Sequence, residues 1–184
     1  MDGRIYSRRG DDGETQHPNR QRVPKDHPDL ALLGTLDELT SQLGAARAAL
    51  SVTAHPRLSA LADRLEAPQR QLLAIGALLG GAPDTASGGA SLPEVTAELE
   101  RLIDDLQQGL PPIEQFVIPG ATPASAALHV ARAVCRRAER TWVTAQRARG
   151  RPASPNEAHA GAYLNRLSDL LFVAARLANE VLAG

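Results

Sequence analysis

Apolar and polar positions alternate with the period of an α-helix along much of this chain, most regularly between Thr122 and Gln146. Thr122 is a favourable N-cap, and Pro123 occupies the first helical position, where a missing N–H costs nothing. At 3.6 residues per turn, one side of this helix is apolar: Ala127, Leu128, Ala131, Val134, Cys135, Ala138 and Trp142. Another side is polar: His129, Arg132, Arg136, Glu139 and Arg140.

Four other stretches show helical spacing. Residues 28–50 and 56–80 are the first two, and Pro68 should kink or split the second because it removes a hydrogen bond and clashes with the preceding turn. Residues 91–108 begin with a capping signature, and residues 156–182 have a wide apolar surface. The sequence therefore predicts an all-α bundle of four or five helices with short connections.

The non-helical parts divide the chain. Residues 1–27 lack periodicity, so we expect an N-terminal arm before a bundle domain of residues 28–184. The arm is either a flexible basic segment or, through Gly10–Gly13, a turn whose N–H groups face an anion. Residues 80–89 are rich in glycine, which predicts a loop. The apolar run 116–118 predicts an extended segment before the central helix.

The amino-acid composition limits the kinds of binding partner that can be expected. The 184 residues carry a net charge of −1 and only 3% aromatic side chains, which gives no general reason to expect nucleic acid or an anionic membrane. No apolar run approaches the roughly 20 residues of a membrane span, and the charged N-terminus lacks the apolar core of a signal peptide. We therefore expect a cytoplasmic protein. Its single cysteine, Cys135, lies on the apolar helix face and should be buried.

The central helix carries a row of like charges. Arg132, Arg136 and Arg140 follow one another at four-residue intervals, a spacing that disfavours the helix by roughly 0.2–0.5 kcal/mol per pair. The row is either a solvated basic stripe or a site that captures phosphate or carboxylate with planar guanidinium groups.

Three polar residues in apolar surroundings lack an obvious partner. Asp37 stands among leucines of the first helix and is either an exposed carboxylate or the partner of an arginine on another helix or subunit. Asn165 and Asp169 lie on a narrow polar stripe of the last helix, and we expect them to pair with the central helix or with a ligand.

The residues contain no familiar catalytic or metal motif. Metal-binding His/Cys patterns, a G-x-S-x-G elbow and a Walker pattern are all missing, so a protein-bound transition metal is not expected. From the residues alone, the sequence predicts a helical bundle with a guanidinium row facing an anionic ligand.

Five stretches nevertheless match one family in order and spacing. They are residues 22–26 (RVPKD), 34–39 (GTLDEL), 116–120 (FVIPG), 126–140 and 163–172 (YLNRLSDLLF), with Ala175-Arg176 beyond the last. Together they resemble the PduO-type ATP:cob(I)alamin adenosyltransferases. The resemblance implies a five-helix bundle that assembles as a homotrimer, with active sites between subunits. It also implies transfer of the 5′-deoxyadenosyl group of ATP to the cobalt of reduced cobalamin, with Mg²⁺ accompanying the ATP.

The resemblance also implies roles for individual residues. Arg132 and Asp37 correspond to an intersubunit salt bridge of the catalytic site, and Phe116 to the aromatic that excludes the lower ligand of cobalt. Asp169 is assigned with Phe116 to the corrinoid. The ATP contacts implied are Ser7, Gly10, Asp11, Gly13, Lys25, Arg136, Glu139 and Asn165, with Glu139 also near the Mg²⁺.

The N-terminal loop departs from the family pattern. A threonine of the family is replaced by Arg9, a glycine pair is lost, Glu14 adds negative charge, and Pro18 stiffens the segment. Two hypotheses remain open: an active adenosyltransferase, or a non-catalytic paralogue that binds or delivers a corrinoid or another ligand.

Overall fold

The computed structural model describes Tyr6, residues 8–79 and residues 91–183. Within these ranges there are six helices: α1 (Pro28–Ser51), α2 (Pro56–Arg64), α3 (Glu66–Leu79), α4 (Leu92–Gln107), α5 (Pro123–Ala148) and α6 (Pro155–Ala183). Only Leu65 separates α2 from α3, so the two form one split helix and the described chain is the predicted five-helix bundle. None of these helices has both the length and the apolar character that a membrane crossing requires.

Helix α5 lies at the centre of the bundle. It packs against α1 on one side and α6 on the other, while α4 covers α6, and the α2–α3 pair covers α1. Small residues allow α5 and α6 to approach closely: a Cβ on Gly161 would lie 3.0 Å from Nε1 of Trp142. This close contact sets the register in which polar groups of α5 meet those of α6.

The helices begin where their capping residues are. Thr122 and Ser125 form a reciprocal capping box at the start of α5, and Ser91 and Glu94 form another at the start of α4. Each box satisfies backbone N–H groups that the first helical turn leaves unpaired. The predicted starts of both helices are therefore confirmed.

The split between α2 and α3 follows from Pro68. Pro68 has no N–H to donate to the carbonyl of Arg64, four residues earlier, and its ring crowds that carbonyl. The chain responds by ending α2 at Arg64 and starting α3 at Glu66, which keeps Pro68 in the first turn of the new helix. The expectation that Pro68 kinks or splits this helix is confirmed.

The N-terminal arm contains a strand pair that the all-α prediction did not include. Strands β1 (Glu14–Gln16) and β2 (Arg22–Pro24) pair antiparallel, with Thr15 opposite Val23. A backbone hydrogen bond of 2.8 Å from the His17 N–H to the Gln21 carbonyl closes the hairpin. Strands of three residues are too short to produce a detectable alternation, which is why the pattern missed them.

A buried ionic cluster holds this hairpin to the bundle. Arg149, which follows α5, contacts Asp29 of α1 at 3.0 Å and also pairs with Glu157 of α6. Arg151 adds a second contact to Glu157 at 2.8 Å, and Nε2 of His17 lies 3.4 Å from Asp29. Residues 149–154 connect α5 to α6, as the predicted polar linker should, and their arginines also bind Asp29 of α1 and Glu157 of α6.

Glu157 makes the stability of this region depend on pH. Hydrogen bonding from Arg151, with help from the backbone N–H of Ser154, lowers the pKa of Glu157 from 4.5 to about 2. Because the folded pKa lies below the unfolded value, the contribution is complete above about pH 4.5 and is lost as the pH falls through about 2.

We expect Glu157→Gln to lower the free energy of unfolding at pH 7 by about 2–3 kcal/mol. The difference from wild type should shrink progressively below pH 4.5, as the wild-type carboxylate is protonated. Urea unfolding at pH 7, 4 and 3 measures both effects. Glu180→Gln, at an exposed position near the end of the same helix, is the control. A constant difference across this pH range would contradict the assigned role of Glu157.

Candidate active site

The three arginines of the guanidinium row on α5 differ in solvent exposure. Arg132 is half-buried, whereas Arg136 and Arg140 are exposed. The Nε of Arg132 donates to Nδ1 of His129 at 3.4 Å, one helical turn earlier. Within the described chain, the side chains of Arg136 and Arg140 have no hydrogen bond or ion pair. The outer part of the row therefore presents uncompensated positive charge at the surface.

The histidine at the base of this row is neutral. His129 is only 4% exposed and lies beside Phe172 of α6, with ring centroids 6.2 Å apart. Burial, and then the positive charge of Arg132, lowers the pKa of His129. A neutral imidazole can accept the hydrogen bond from Arg132, whereas an imidazolium could not.

A hydrogen bond between α5 and α6 joins two of the predicted ATP contacts. Nδ2 of Asn165 donates to the Glu139 carboxylate at 2.9 Å, and Oδ1 of Asn165 accepts from Arg166 at 3.4 Å. The prediction that Asn165 pairs with the central helix is confirmed. This bond orients the Glu139 carboxylate beside Arg136, so a cationic and an anionic group stand together on one face.

Asp169, in contrast, does not contact the central helix in the described chain. Its carboxylate accepts from Arg166 of its own helix at 3.1 Å, and its side chain is 51% exposed. Arg166 also binds Glu100 of α4 at 2.8 Å, so this polar group faces α4 rather than α5. Within the described residues Asp169 therefore does not pair with the central helix, and the other expected partner, a ligand, stays a prediction.

Asp37 is exposed and makes no hydrogen bond or ion pair with any described residue. The ion pair between α1 and α5 is instead made by its neighbour Glu38 with Arg137. Sequence analysis missed this pair, although each member adjoins a residue that it had singled out. Within a single chain, Asp37 and Arg132 are therefore not partners.

The N-terminal turn carries the remaining predicted ATP contacts. Gly13 has a φ of +86°, which glycine adopts without strain, and its carbonyl accepts from the Lys25 N–H at 2.9 Å. Nζ of Lys25 lies 3.4 Å from the position that a Cβ on Gly10 would take. Asp11 is exposed beside them, while Ser7 lies outside the described residues.

Arg22 neutralises the acidic residues of this turn. It binds Asp12 at 2.8 Å and Glu14 at 3.0 Å, and it also donates to the carbonyl of Arg9. Arg22 thus stabilises the turn and offsets the negative charge that Glu14 introduces.

The turn and the guanidinium row lie far apart in one chain. The hairpin is held near Arg149, just beyond α5, and the helical rise from Arg149 back to Arg136 is about 20 Å. No hydrogen bond or ion pair between described residues joins Lys25 or Gly10 to Arg136 or Glu139. The predicted ATP contacts therefore form two separate groups.

One cluster in the described residues has the composition of metal ligands: His17, His27 and Asp29, with ligand atoms within 4.8 Å of one another. Both imidazole Nδ1 atoms accept backbone N–H groups at 3.2 Å, from Asn19 and Asp29. Neutral rings of this tautomer carry their proton on Nε2, where a metal would have to bind. We therefore interpret the cluster as part of the hairpin anchor.

Comparison with known proteins identifies the family. A sequence profile described as cobalamin adenosyltransferase matches residues 5–178. The corrinoid adenosyltransferase of Citrobacter freundii is 39% identical over 179 residues, which cover 95% of this chain and 94% of the relative. That of Mycobacterium tuberculosis H37Rv is 39% identical over 179 residues, covering 96% and 89%. This chain belongs to the cobalamin adenosyltransferase family, and the resemblance seen in its motifs is confirmed.

Solved structures agree with this assignment. A variant of the PduO-type ATP:corrinoid adenosyltransferase from Lactobacillus reuteri, complexed with cobalamin and ATP, matches with a TM-score of 0.80 at 32% identity. The match covers 97% of this chain and 94% of that one. Another variant of the same protein, complexed with ATP, gives a TM-score of 0.80 at 33% identity, covering 96% and 95%.

The cysteine on α5 takes no part in this site. Cys135 is buried, and its Sγ lies 3.2 Å from the carbonyl oxygen of Leu164. Burial, and then the negative charge of Glu139, raises the pKa of the Cys135 thiol. A buried thiol that resists ionisation is a poor nucleophile.

We expect Cys135 to be unreactive toward Ellman's reagent in the native protein at pH 8, and to react fully once guanidinium chloride unfolds it. The colour released by the reagent measures both states. Stoichiometric reaction of the folded protein, at the rate of a free thiol, would show that Cys135 is accessible.

Proposed function

We propose that this protein is a corrinoid adenosyltransferase. It transfers the 5′-deoxyadenosyl group of ATP to the cobalt of reduced cobalamin, giving adenosylcobalamin and triphosphate. The observation that carries this conclusion is the exposed row on α5, where Arg136 stands unpaired beside a Glu139 already oriented by Asn165. Sequence identity of 39% over 95% of the chain supports the same activity.

In this reaction the protein mainly positions the two substrates and compensates negative charge. Reduced cobalt is itself the nucleophile: it attacks the 5′-carbon of the ribose, and the bond from that carbon to the triphosphate oxygen breaks. The protein must therefore hold the polyphosphate, align the ribose and compensate the negative charge that the leaving triphosphate develops.

The two groups of ATP contacts divide these tasks. In this proposal, Arg136 binds phosphate oxygens through its planar fork, and Lys25 supplies a second positive charge beside the Gly10–Gly13 turn. Asp11 belongs to the same turn, and Ser7 is proposed as a further ATP contact. Glu139 and Asn165 hold the ribose side of the nucleotide.

Glu139 also fits a magnesium ion bound with ATP. One carboxylate oxygen is used by Asn165, and the other makes no hydrogen bond with the described residues. Mg²⁺ prefers such oxygen ligands together with substrate phosphates, and it would neutralise phosphate charge there.

A second subunit would bring the two groups together. No described contact joins the two groups, and about 20 Å of helix separates Arg136 from Arg149, where the hairpin is anchored. We therefore propose a homotrimer in which the N-terminal arm, residues 1–27, reaches the α5 row of a neighbouring bundle domain, residues 28–184. Asp37 of one subunit would then pair with Arg132 of the next, which gives the exposed carboxylate a partner. We also place the trimer in the cytoplasm.

Phe116 and Asp169 are proposed to contact the corrinoid. The Phe116 side chain is fully exposed at 102%. An aromatic ring in water is costly and gains roughly 2 kcal/mol when covered by an apolar surface. One face of the corrin ring is such a surface. A Phe116 side chain packed on that face would also keep a lower axial ligand away from cobalt.

A non-catalytic paralogue is the alternative. Its support is the altered N-terminal loop, in which Arg22 is already engaged by Asp12 and Glu14 and is therefore less available for phosphate. Limited proteolysis separates the two cases. ATP with Mg²⁺ should protect residues 8–25 if the loop closes on triphosphate, whereas cobalamin binding with an equally cleavable loop favours the paralogue.

The direct test is anaerobic incubation with ATP, Mg²⁺ and chemically reduced cobalamin. Formation of a cobalt–carbon bond changes the absorption spectrum, and the product is light-sensitive. We expect the conversion with ATP and no conversion without it. A spectrum that stays that of reduced cobalamin would exclude the transferase activity.

We expect Arg136→Ala to weaken ATP binding by about 10- to 100-fold, since a hydrogen bond to a charged group contributes about 1.5–3 kcal/mol. Calorimetric titration measures the dissociation constant. Folding should be unaffected because Arg136 is exposed and unpaired in the described chain. Arg147→Ala, an exposed arginine near the end of the same helix, is the matched control. Equal affinities for wild type and Arg136→Ala would refute the phosphate contact.

We expect Arg132→Asp and Asp37→Arg each to weaken trimer assembly, because each places like charges across the proposed seam. The double variant should assemble again, since the pair is restored with reversed signs. Sedimentation velocity gives the oligomer distribution. Additive disruption in the double variant would show that the two residues are not partners.

A further inference from the structure

The segment that carries Phe116 has little apolar packing. Residues 111–121, here named the Phe116 segment, connect α4 to α5. Three of its apolar side chains are exposed, Ile113 at 54%, Phe116 at 102% and Ile118 at 84%, whereas Val117 is half-buried beside α6. A cavity of about 410 Å³ lies between the segment and the end of α6, where Arg176 and Asn179 line its wall.

One polar contact ties this segment to the bundle. The guanidinium of Arg176 on α6 donates to the carbonyl oxygen of Pro111. Among the described residues, no other hydrogen bond or ion pair involves the backbone or side chains of residues 111–121. Arg176 is therefore the one described side chain that holds the segment by a hydrogen bond.

Two consecutive prolines transmit this anchor to Phe116. The ring closures of Pro111 and Pro112 hold φ near −65°, so the peptide group that Arg176 fixes also sets the direction in which the chain leaves. Phe116 follows five residues later, about 15 Å away if the segment is extended. A rotation of about 10° at the anchor would then move Phe116 by about 3 Å.

We propose that Arg176 is a positioning residue for adenosyl transfer: through the Pro111 carbonyl it sets where Phe116 stands beside the corrinoid. The proposal rests on the proposed function. It deepens that function by adding a residue that touches neither substrate and acts only through the segment.

Kinetics test this role. Arg176→Leu should lower kcat for cobalamin adenosylation by about 10-fold or more, as expected for losing a charged hydrogen bond, while KM for ATP stays unchanged. Arg176→Lys, which keeps a donor, should recover part of the loss. Glu180→Gln lines the same cavity and is the control, with wild-type kcat expected. A rise in KM for ATP with unchanged kcat would overturn the proposal.

A double-mutant cycle shows whether Arg176 acts through Phe116. In a Phe116→Ala background, Arg176→Leu should change kcat by less than about twofold, because the side chain being positioned is already absent. If the fold-losses in kcat of the two single variants multiply in the double variant, Arg176 does not act through Phe116. Circular dichroism of each variant confirms that the bundle is intact, and Arg176→Gln replaces Arg176→Leu if the latter does not fold.

A measurement without substrates separates this proposal from the proposed function. Gln115→Cys can carry a nitroxide label while the buried Cys135 stays unlabelled. Arg176→Leu should narrow the electron paramagnetic resonance lines because the segment gains freedom. Unchanged lines would overturn the positioning role even in an active enzyme. A wild-type protein that forms no adenosylcobalamin would instead refute the proposed function.

Discussion

Repulsion among the arginines of α5 is the interaction on which the site depends. The chain offsets only part of it: Arg137 pairs with Glu38 of α1, and Arg132 donates to a neutral His129. Nothing in the described chain pairs with Arg136 or Arg140. The fold supplies enough packing between α1, α5 and α6 to hold these charges in place, and in the proposed function an anionic ligand and a neighbouring chain would compensate them.

Most of the fold could be predicted because helices are encoded locally. Apolar residues at helical spacing fixed the faces of α1, α5 and α6, and the capping residues Thr122 and Ser91 marked where helices begin. The effect of Pro68 was also predictable, since a missing N–H and a crowded carbonyl act within four residues. The hairpin was not, because two strands of three residues carry too little pattern.

The site was predicted less completely because its contacts join distant residues. Asn165 was correctly expected to reach α5, since a half-buried amide on a mostly apolar helix has few other partners. Periodicity could not show that Arg166 would capture Asp169 from within its own helix. Nor could it reveal the cluster of Arg149 with Asp29 and Glu157, whose members come from three parts of the chain.

The distance between the hairpin and the guanidinium row has a consequence for how this protein would behave on dilution. If the nucleotide is held by the N-terminal turn of one subunit and the α5 row of another, no isolated subunit contains a whole site. Specific activity would then follow the association equilibrium of the subunits, and bound nucleotide would strengthen their association by the same free energy. The subunit dissociation constant and the nucleotide dissociation constant would therefore change together.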